Sequence, residues 1–420
     1  MDTKKVSIEE LQEVVGEDNA REAGAEDAVE GVEPSFVVEP GSVEELSALM
    51  KLAAREELAV APRGGGTKTH LGEPPRELDL VVSMARMDEI IEHVPGDQIA
   101  RVQAGVKLRD LQEKLSEANQ MLGLDPPEAA AGATIGGIIA ANSSGPLRLR
   151  YGTVRDLIIG ITVVLSDGTV AKAGGKVVKN VAGYDLGKLF SGSMGTLGII
   201  AEANFRLHPI PEVARTVAVD LESPRAADEA SQTILHSKIM PSACELYWSE
   251  ENKLLTVLLE SIPGGIEAKV EAASFLLKSF GEVRVLEEEE ADALVAPSGE
   301  DAVEVKIGAP PAELTGVLES VLGAAERGGI EASITGHAAT GVTFVRFAGG
   351  ADAGAEMVEE LREIWVRRGG SAVLQKAPPE LKRKVGAWGP GGDSVGLMRR
   401  VKDKFDSRGG MNPGRFVGGI

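Results

Sequence analysis

Apolar residues in the first part of the chain fall in short runs separated by a stretch with helical spacing. Residues 35–38 form one such run, and Ser42 then precedes the helical stretch, with Glu45 three residues later as in a capping box. A second apolar run at 58–61 leads directly into the three glycines at 64–66. This pattern predicts a strand, a helix, a strand and a glycine loop, in that order.

The following part of the chain predicts a second group of elements of the same kind. A strand, a helix, a hairpin and a further strand are predicted at 99–104, 108–118, 158–172 and 195–207. Asp167-Gly168 supplies the hairpin turn, because this dipeptide favours the backbone angles of a two-residue loop. Pro209 and Pro211 then interrupt regular structure, and we place a domain boundary there.

Beyond this boundary, strand-like and helix-like runs alternate with few glycine motifs. The fold class predicted for the whole chain is therefore α+β. The predicted parts are an acidic N-terminal arm at 1–33, a first domain at 34–211 with α+β subdomains 34–102 and 103–211, a second α+β domain at 212–376, and a C-terminal tail at 377–420.

Composition limits the classes of function that need to be considered. The chain has 420 residues and a formal net charge of −21, which argues against nucleic-acid binding and against direct docking on anionic lipid. Cys244 is the one cysteine, so this chain cannot ligate an iron–sulfur cluster by itself. The charged N-terminus and the absence of a 20-residue apolar run predict a cytoplasmic protein, with any membrane attachment made through a partner.

The glycine loop is the first segment that indicates chemistry. Successive glycines in Arg63-Gly64-Gly65-Gly66-Thr67-Lys68 allow consecutive main-chain N–H groups to point at one anion, and a pyrophosphate is the natural ligand. The loop matches neither a Walker motif nor the dinucleotide-binding fingerprint. Taken alone, it is equally compatible with a tight turn.

A second run of small residues extends from Gly132 to Gly145. Such a run allows a flat ligand to lie against the backbone, and Thr134 and Asn142 supply hydrogen-bonding groups. Close packing at a helix start is the structural alternative.

Five ordered motifs resemble those of the FAD-binding family of vanillyl-alcohol oxidase and p-cresol methylhydroxylase (PCMH). They are RGGGTK, TIGGIIAANSSG, LRYGTVRD, KNVAGYDLGKLFSGSMGTLGII and NPGRF. Within this family, KVVKNVAGYDL, the stretch 244–248 and the tail are most similar to the smaller flavin subunit, the E subunit, of glycolate oxidases. The resemblance implies a PCMH-type FAD-binding domain, a cap domain at 212–376, and a tail that returns to the flavin.

The resemblance also implies a set of cofactor-binding residues. The residues that would hold FAD are Arg63, Gly64, Gly65, Gly66, Thr67, Lys68, Thr134, Gly136, Gly137, Asn142, Gly145, Tyr151, Gly152, Gly198, Ile200 and Asn412. Covalent members of the family carry a histidine near the glycine loop. Here Thr67 follows the glycines and His70 comes three residues later, so non-covalent FAD is expected.

Metal-assisted members of the family carry two histidines in a cap motif, and this chain departs from that motif. Its nearest match keeps His337, but Thr340 and Phe344 occupy the positions of the acid and of the second histidine. One ligand makes a poor metal site, so no metal is predicted.

Oxidation of a hydroxy acid needs a base for the hydroxyl proton. His337 and Tyr247 are the candidates, and Glu245 is a further group of the cap. An ordinary hydrogen-bonded histidine is the simpler reading of His337, as core packing is for Tyr247. Arg346 is a candidate carboxylate clamp, although an outward-facing arginine is the simpler interpretation there too.

The sequence therefore predicts an FAD-dependent oxidoreductase subunit. It would act in a complex that oxidises glycolate or a related 2-hydroxy acid, beside a larger D-like flavin subunit and an iron–sulfur subunit that receives the electrons. A self-sufficient D-lactate or 2-hydroxy-acid dehydrogenase and a non-catalytic structural subunit remain the alternatives, with a sugar-lactone oxidase further behind.

Overall fold

The computed structural model describes residues 5–175, 184–294 and 302–420. The strands are β1 Ala20–Glu22, β2 Phe36–Val38, β3 Val60–Arg63, β4 Leu80–Ser83, β5 Ile90–Val94, β6 Ile99–Gln103, β7 Gln120–Met121, β8 Ile158–Val164, β9 Val170–Gly174, β10 Ile199–Arg206, β11 His208–Pro209, β12 Val213–Asp220, β13 Ala243–Trp248, β14 Lys253–Ser261, β15 Val283–Leu286, β16 Val303–Gly308, β17 Ala332–His337, β18 Val342–Phe347 and β19 Ser371–Lys376.

The α-helices are α1 Ile8–Val15, α2 Val43–Arg55, α3 Leu108–Ser116, α4 Ile135–Ala141, α5 Arg148–Tyr151, α6 Val154–Leu157, α7 Leu186–Phe190, α8 Pro224–Leu235, α9 Pro263–Leu277, α10 Glu288–Ala293, α11 Leu314–Gly328, α12 Ala351–Arg367, α13 Pro379–Val385 and α14 Val395–Phe405. In the described parts, no helix is long and apolar enough to cross a membrane. Residues 176–183, which belong to the KVVKNVAGYDL resemblance, lie outside the described residues.

The chain divides into two units. Unit 1 contains residues 1–144, 152–210 and 390–420, and unit 2 contains residues 145–151 and 211–389. The α+β class predicted from the sequence is confirmed. Two features depart from the predicted parts: the short segment 145–151 groups with unit 2, and the tail joins unit 1 only from residue 390.

The first sheet of unit 1 has the strand order β1-β2-β4-β3. Strands β2, β4 and β3 pair in parallel, and every residue of β2 and β4 is buried, as expected for strands covered on both faces. Helix α2 connects β2 to β3. Ser42 caps it by accepting a hydrogen bond from the N–H of Glu45, and the carboxylate of Glu45 accepts from the N–H of Gly41.

The second sheet of unit 1 is antiparallel, with the strand order β5-β6-β10-β8-β9. Strands β8 and β9 form the predicted hairpin, with Asp167-Gly168 in its turn and Gly168 at φ +82°. Strand β10 lies in the centre of the sheet, so its residues are almost entirely buried. The apolar side chains of both sheets belong to one hydrophobic core.

The N-terminal segment packs against this core, although the sequence suggested a loose acidic arm. Leu11 and Val15 of α1 are buried in the core, and β1 adds an antiparallel strand beside β2. The amphipathic spacing of α1 gives the physical reason, since its apolar stripe must cover an apolar surface to be stable.

Unit 2 contains one antiparallel sheet of eight strands in the order β15-β12-β14-β13-β17-β18-β16-β19. Alternate residues of its central strands, including Cys244, Leu246 and Ile334, pack with α8, α9, α11 and α12 in a second hydrophobic core. The residues between them, including Glu245, Tyr247 and His337, therefore point to the opposite face of the sheet. Glu245, Tyr247 and His337 thus share one face of the sheet, opposite the hydrophobic core.

Candidate functional site

A cleft in unit 1 collects most of the residues predicted to bind the cofactor. It is a concave site lined by both apolar and polar groups, as is usual for ligand sites. The predicted residues that line it are Arg63, Gly64, Gly65, Gly66, Thr67, Lys68, Thr134, Gly136, Gly137, Gly198, Ile200 and Asn412.

The glycine loop begins where β3 ends and forms one wall of the cleft. Within the described parts of the chain, the main-chain N–H groups of residues 64–68 donate to no protein acceptor. These residues line the cleft, and a row of main-chain N–H groups without protein acceptors can form an anion-binding concavity. The loop is therefore suited to a pyrophosphate.

Glycine is required in the loop because it lies directly against a second segment of backbone. A Cβ atom on Gly65 would lie 2.1 Å from the carbonyl oxygen of Gly132. A Cβ atom on Gly64 would lie 2.1 Å from Oγ1 of Thr134, the residue that caps α4. The two glycine-rich segments noted in the sequence thus form adjoining walls of the cleft.

The two cations of the loop are both paired with carboxylates. The guanidinium of Arg63 donates to Asp27 at 2.9 Å, and Nζ of Lys68 lies 2.6 Å from Oε1 of Glu128. The main-chain donors are therefore the groups that this structure leaves available for an anion.

Asp27 is a buried carboxylate that sequence reasoning missed. A hydrogen bond from Arg21 holds its pKa far below the usual range, in spite of desolvation, and the N–H of Gly24 and the side chain of Arg63 add to this effect. No local motif marks Asp27, since it lies 36 residues from Arg63.

Glu128 is a second missed residue, and it lines the cleft. Burial raises the pKa of its carboxyl group, but the charge and hydrogen bond of Lys68 and a hydrogen bond from Ser143 together lower it further than burial raises it. Glu128 is thus held as a carboxylate beside the glycine loop.

The C-terminal tail enters the cleft through Asn412. Its N–H donates to the carbonyl of Val60, and its Nδ2 donates to the carbonyl of Met194 at 2.6 Å. Asn412 has a φ of +44°, which asparagine tolerates better than most residues. Its Oδ1 is buried and accepts no hydrogen bond from the described residues, so it can receive a donor from a ligand.

Arg415 fixes the chain just after the glycine loop. Its buried guanidinium donates to the carbonyls of Thr69 and Leu71 at 2.6 Å each, and to that of Glu73 at 3.2 Å. Burial lowers the pKa of Arg415 to about 10, so it remains charged at neutral pH. The NPGRF motif contains this residue and was the signal for it.

Four predicted cofactor residues do not line the cleft. Asn142 ends α4 with a φ of +49°, and Gly152 makes a turn beside Asp156 with a φ of +84°. Gly145 and Tyr151 belong to the segment that packs with unit 2, where the Tyr151 hydroxyl donates to Glu260 at 2.7 Å.

Unit 2 brings the predicted catalytic residue His337 together with Glu245. No partner of His337 could be identified from the sequence, whereas the structure places its Nδ1 2.8 Å from Oε2 of Glu245. Tyr247 lies two residues beyond Glu245 on β13 and is half-buried. Arg346 donates to Glu304 and to Thr335, so its guanidinium already has a carboxylate partner.

Two family models match separate parts of this chain. One, described as an FAD binding domain, matches residues 34–174, and the other, described as the C-terminal domain of FAD linked oxidases, matches residues 284–416. The chain is an FAD-dependent oxidoreductase, and FAD is its cofactor, as the sequence predicted.

Similar proteins of known sequence include hydroxy-acid oxidising enzymes. The chain is 37% identical to glycolate oxidase subunit GlcD of Bacillus subtilis over 212 residues, which covers 50% of this chain and 45% of that protein. It is 29% identical to a D-lactate dehydrogenase of Archaeoglobus fulgidus over 423 aligned positions, covering 93% of each. The chain thus matches about half of the first relative and nearly all of the second.

Solved structures share the fold at low sequence identity. p-Cresol methylhydroxylase with bound substrate superposes with a TM-score of 0.78 at 15% identity, covering 97% of this chain and 95% of that chain. An alkyldihydroxyacetonephosphate synthase superposes with a TM-score of 0.72 at 19% identity, covering 98% and 86%.

Proposed function

We propose that this chain is the FAD-binding subunit of a complex that oxidises glycolate or a related 2-hydroxy acid. The observation that carries the proposal is the cleft of unit 1, where five consecutive main-chain donors lie between walls that only glycine allows to approach. The similarity to a glycolate oxidase subunit and to a D-lactate dehydrogenase supports the substrate class.

The cleft residues fit FAD held without a covalent bond. The donors of residues 64–68 would bind the pyrophosphate, and Thr134, Gly136 and Gly137 would contact the cofactor on the opposite wall. Asn412 would offer Oδ1 to a ring N–H. His70 lies in the turn after the loop and is not among the cleft-lining residues, which supports non-covalent binding. When bound, FAD supplies a two-electron acceptor.

The proposed complex contains a larger D-like flavin subunit and an iron–sulfur subunit, with this chain in the place of the E subunit. Cys244 is the one cysteine of the sequence and is buried, so a cluster that receives the electrons belongs to another polypeptide. The resemblance of the tail and of residues 244–248 supports the E-subunit assignment.

His337 and Tyr247 are the proposed catalytic residues of unit 2. His337 is the stronger candidate because it is buried beside a carboxylate. No metal is part of the proposal. Among the described residues, no group of three or more His, Cys, Asp or Glu side chains is placed to hold one.

A self-sufficient 2-hydroxy-acid dehydrogenase is the second candidate function. Two observations favour it: the His337–Glu245 pair and the alignment with a D-lactate dehydrogenase over 93% of both chains. A structural subunit without cofactor is disfavoured by the N–H groups of residues 64–68 and the buried Oδ1 of Asn412, which have no hydrogen-bond partner among the described residues and would find one in a bound cofactor.

The test is anaerobic reduction of the FAD-loaded chain by glycolate and D-lactate, followed in the visible spectrum. Bleaching only after the D-like and iron–sulfur subunits are added supports the complex, and bleaching by the chain alone supports the second candidate. Flavin that stays oxidised under both conditions would overturn the proposed function. Acid precipitation separates the binding modes, since non-covalent FAD is released into the supernatant.

A further inference from the structure

A buried acid–base pair of unit 2 lies on two adjacent strands. Glu245 of β13 stands directly opposite His337 of β17 in the antiparallel ladder. Both carboxylate oxygens lie close to Nδ1 of the imidazole, at 3.0 and 2.8 Å. The side chains of His337 and Glu245 are only 8% and 11% exposed. Side chains opposite each other on one face of a sheet are held at short range, so this contact is fixed by the fold.

The second nitrogen of the ring is buried and lacks a hydrogen-bond partner in the described part of the chain. Nε2 of His337 has this environment, and the ring of Phe344 packs edge-on against the imidazole with centroids 5.7 Å apart. Apolar packing on one side and a carboxylate on the other leave the ring one orientation. A buried nitrogen without a partner is costly unless a ligand supplies one.

The carboxylate of Glu245 also determines which imidazole nitrogen of His337 carries the proton. An ionised carboxylate only accepts hydrogen bonds, so the neutral imidazole must place its proton on Nδ1. Nε2 then has a free lone pair. When this nitrogen takes up a proton, the imidazolium is stabilised by the carboxylate 2.8 Å away.

We propose that Glu245 is a positioning residue that makes Nε2 of His337 the acceptor of the substrate hydroxyl proton, with no metal ion. The inference rests on the proposed function. In the step, the O–H bond of the 2-hydroxy acid breaks and its proton goes to Nε2. FAD, when bound, would supply the acceptor for the hydride lost from Cα, so that the product would be a 2-oxo acid.

The donor set supports the metal-free form of the site. His337 and Glu245 contribute two donors, and Thr340 and Phe344 follow where an acid and a second histidine would be needed. Across residues 5–175, 184–294 and 302–420, no cluster of three such donors occurs. A carboxylate bound to Nδ1 performs by hydrogen bonding the orienting role that a metal would perform by coordination.

The first test reads the tautomer directly and does not depend on turnover. The chain has five histidines, so ¹⁵N-histidine labelling gives few signals, and His337→Gln assigns the one of interest. We expect a protonated Nδ1 and an unprotonated Nε2 in the wild type, and a mixture of tautomers in Glu245→Leu. A wild-type ring with its proton on Nε2 would overturn the inference, whether or not the chain oxidises a hydroxy acid.

The second test compares rates of flavin reduction by the hydroxy acid in the holoprotein or its complex. We expect His337→Gln to slow reduction by about 100-fold or more, and Glu245→Gln, which keeps the shape but removes the charge, by about 10-fold or more. Substrate affinity should change by less than about threefold, because the lost interaction strengthens only in the transition state.

Two matched controls separate this role from a structural one. His236→Asn changes an exposed histidine of the same unit and Glu229→Gln an exposed carboxylate, and both should reduce flavin at the wild-type rate. Reduction by Glu245→Gln at that rate, or activity abolished by a chelator and restored by a divalent ion, would refute the positioning role. Wild type that fails to bleach with every hydroxy acid would instead refute the proposed function, while the tautomer result would stand.

Discussion

Replacement of Gly65 by alanine tests the assignment of the cofactor cleft most directly. The new Cβ would lie 2.1 Å from the carbonyl oxygen of Gly132 and 3.0 Å from its carbonyl carbon, both of them backbone atoms. Carbon and oxygen need more than 3 Å, so one of the two walls must move by about 1 Å. Overpacking of this kind costs about 1–3 kcal/mol.

The cost should appear in cofactor affinity, because both walls of the cleft belong to the proposed FAD site. A loss of 1–3 kcal/mol corresponds to a weakening of FAD binding by about 5- to 150-fold. Titration of the apoprotein with FAD, followed by quenching of flavin fluorescence, measures this change, and thermal unfolding without FAD measures the effect on the fold.

Two alanine variants serve as controls for this experiment. Gly66 has open space around its Cβ position but a φ of +74°, so Gly66→Ala adds backbone strain without the clash. Gly264 lies in α9 of unit 2 with nothing near its Cβ position, so Gly264→Ala should keep full affinity. The reasoning is refuted if Gly65→Ala binds FAD as tightly as Gly264→Ala does.

Three further substitutions test the contacts that hold the cleft. Arg415→Lys removes part of the guanidinium that donates to three carbonyl oxygens. We expect the free energy of unfolding, measured by urea denaturation, to fall by about 1.5–3 kcal/mol. FAD affinity, measured by FAD titration, should fall as well. Lys402→Met leaves the buried carboxylate of Asp406 without its cationic partner at 2.6 Å, which should lower the free energy of unfolding by about 3–5 kcal/mol. Adding Asp406→Leu should recover much of that loss. A double variant that is no more stable than Lys402→Met would contradict this account. Asp27→Asn should cost about 1–3 kcal/mol at neutral pH. Because hydrogen bonds depress the folded-state pKa of Asp27, its contribution is complete above the ordinary aspartate pKa of about 4 and is lost as the pH falls below it, so urea denaturation should show the two proteins converging in acid.

Local features of this protein could be predicted from the sequence because they depend on neighbouring residues. The cap at Ser42 and the hairpin turn at Asp167-Gly168 both appear where the pattern placed them. Element ends are less well determined by local pattern. The helix predicted at 108–118 begins at Leu108 but ends at Ser116.

The cleft was predictable in outline for a related reason. Glycines are informative wherever they occur, since they mark places where backbone turns sharply or approaches another group closely. The loop at 64–66 and the segment from Gly132 therefore identified two walls of the cleft before their contact was known. Their contact itself, 2.1 Å from a hypothetical Cβ to a carbonyl, belongs to the tertiary structure.

The α+β class, the glycine-rich walls of the cleft and the catalytic candidates could be predicted from the sequence alone. The pairing of charged residues could be known only from the fold: Arg63 pairs with Asp27, 36 residues away, and His337 pairs with Glu245, 92 residues away. Periodicity and turn chemistry act over a few residues. Which distant side chains meet depends on strand order and register, and no local pattern encodes these.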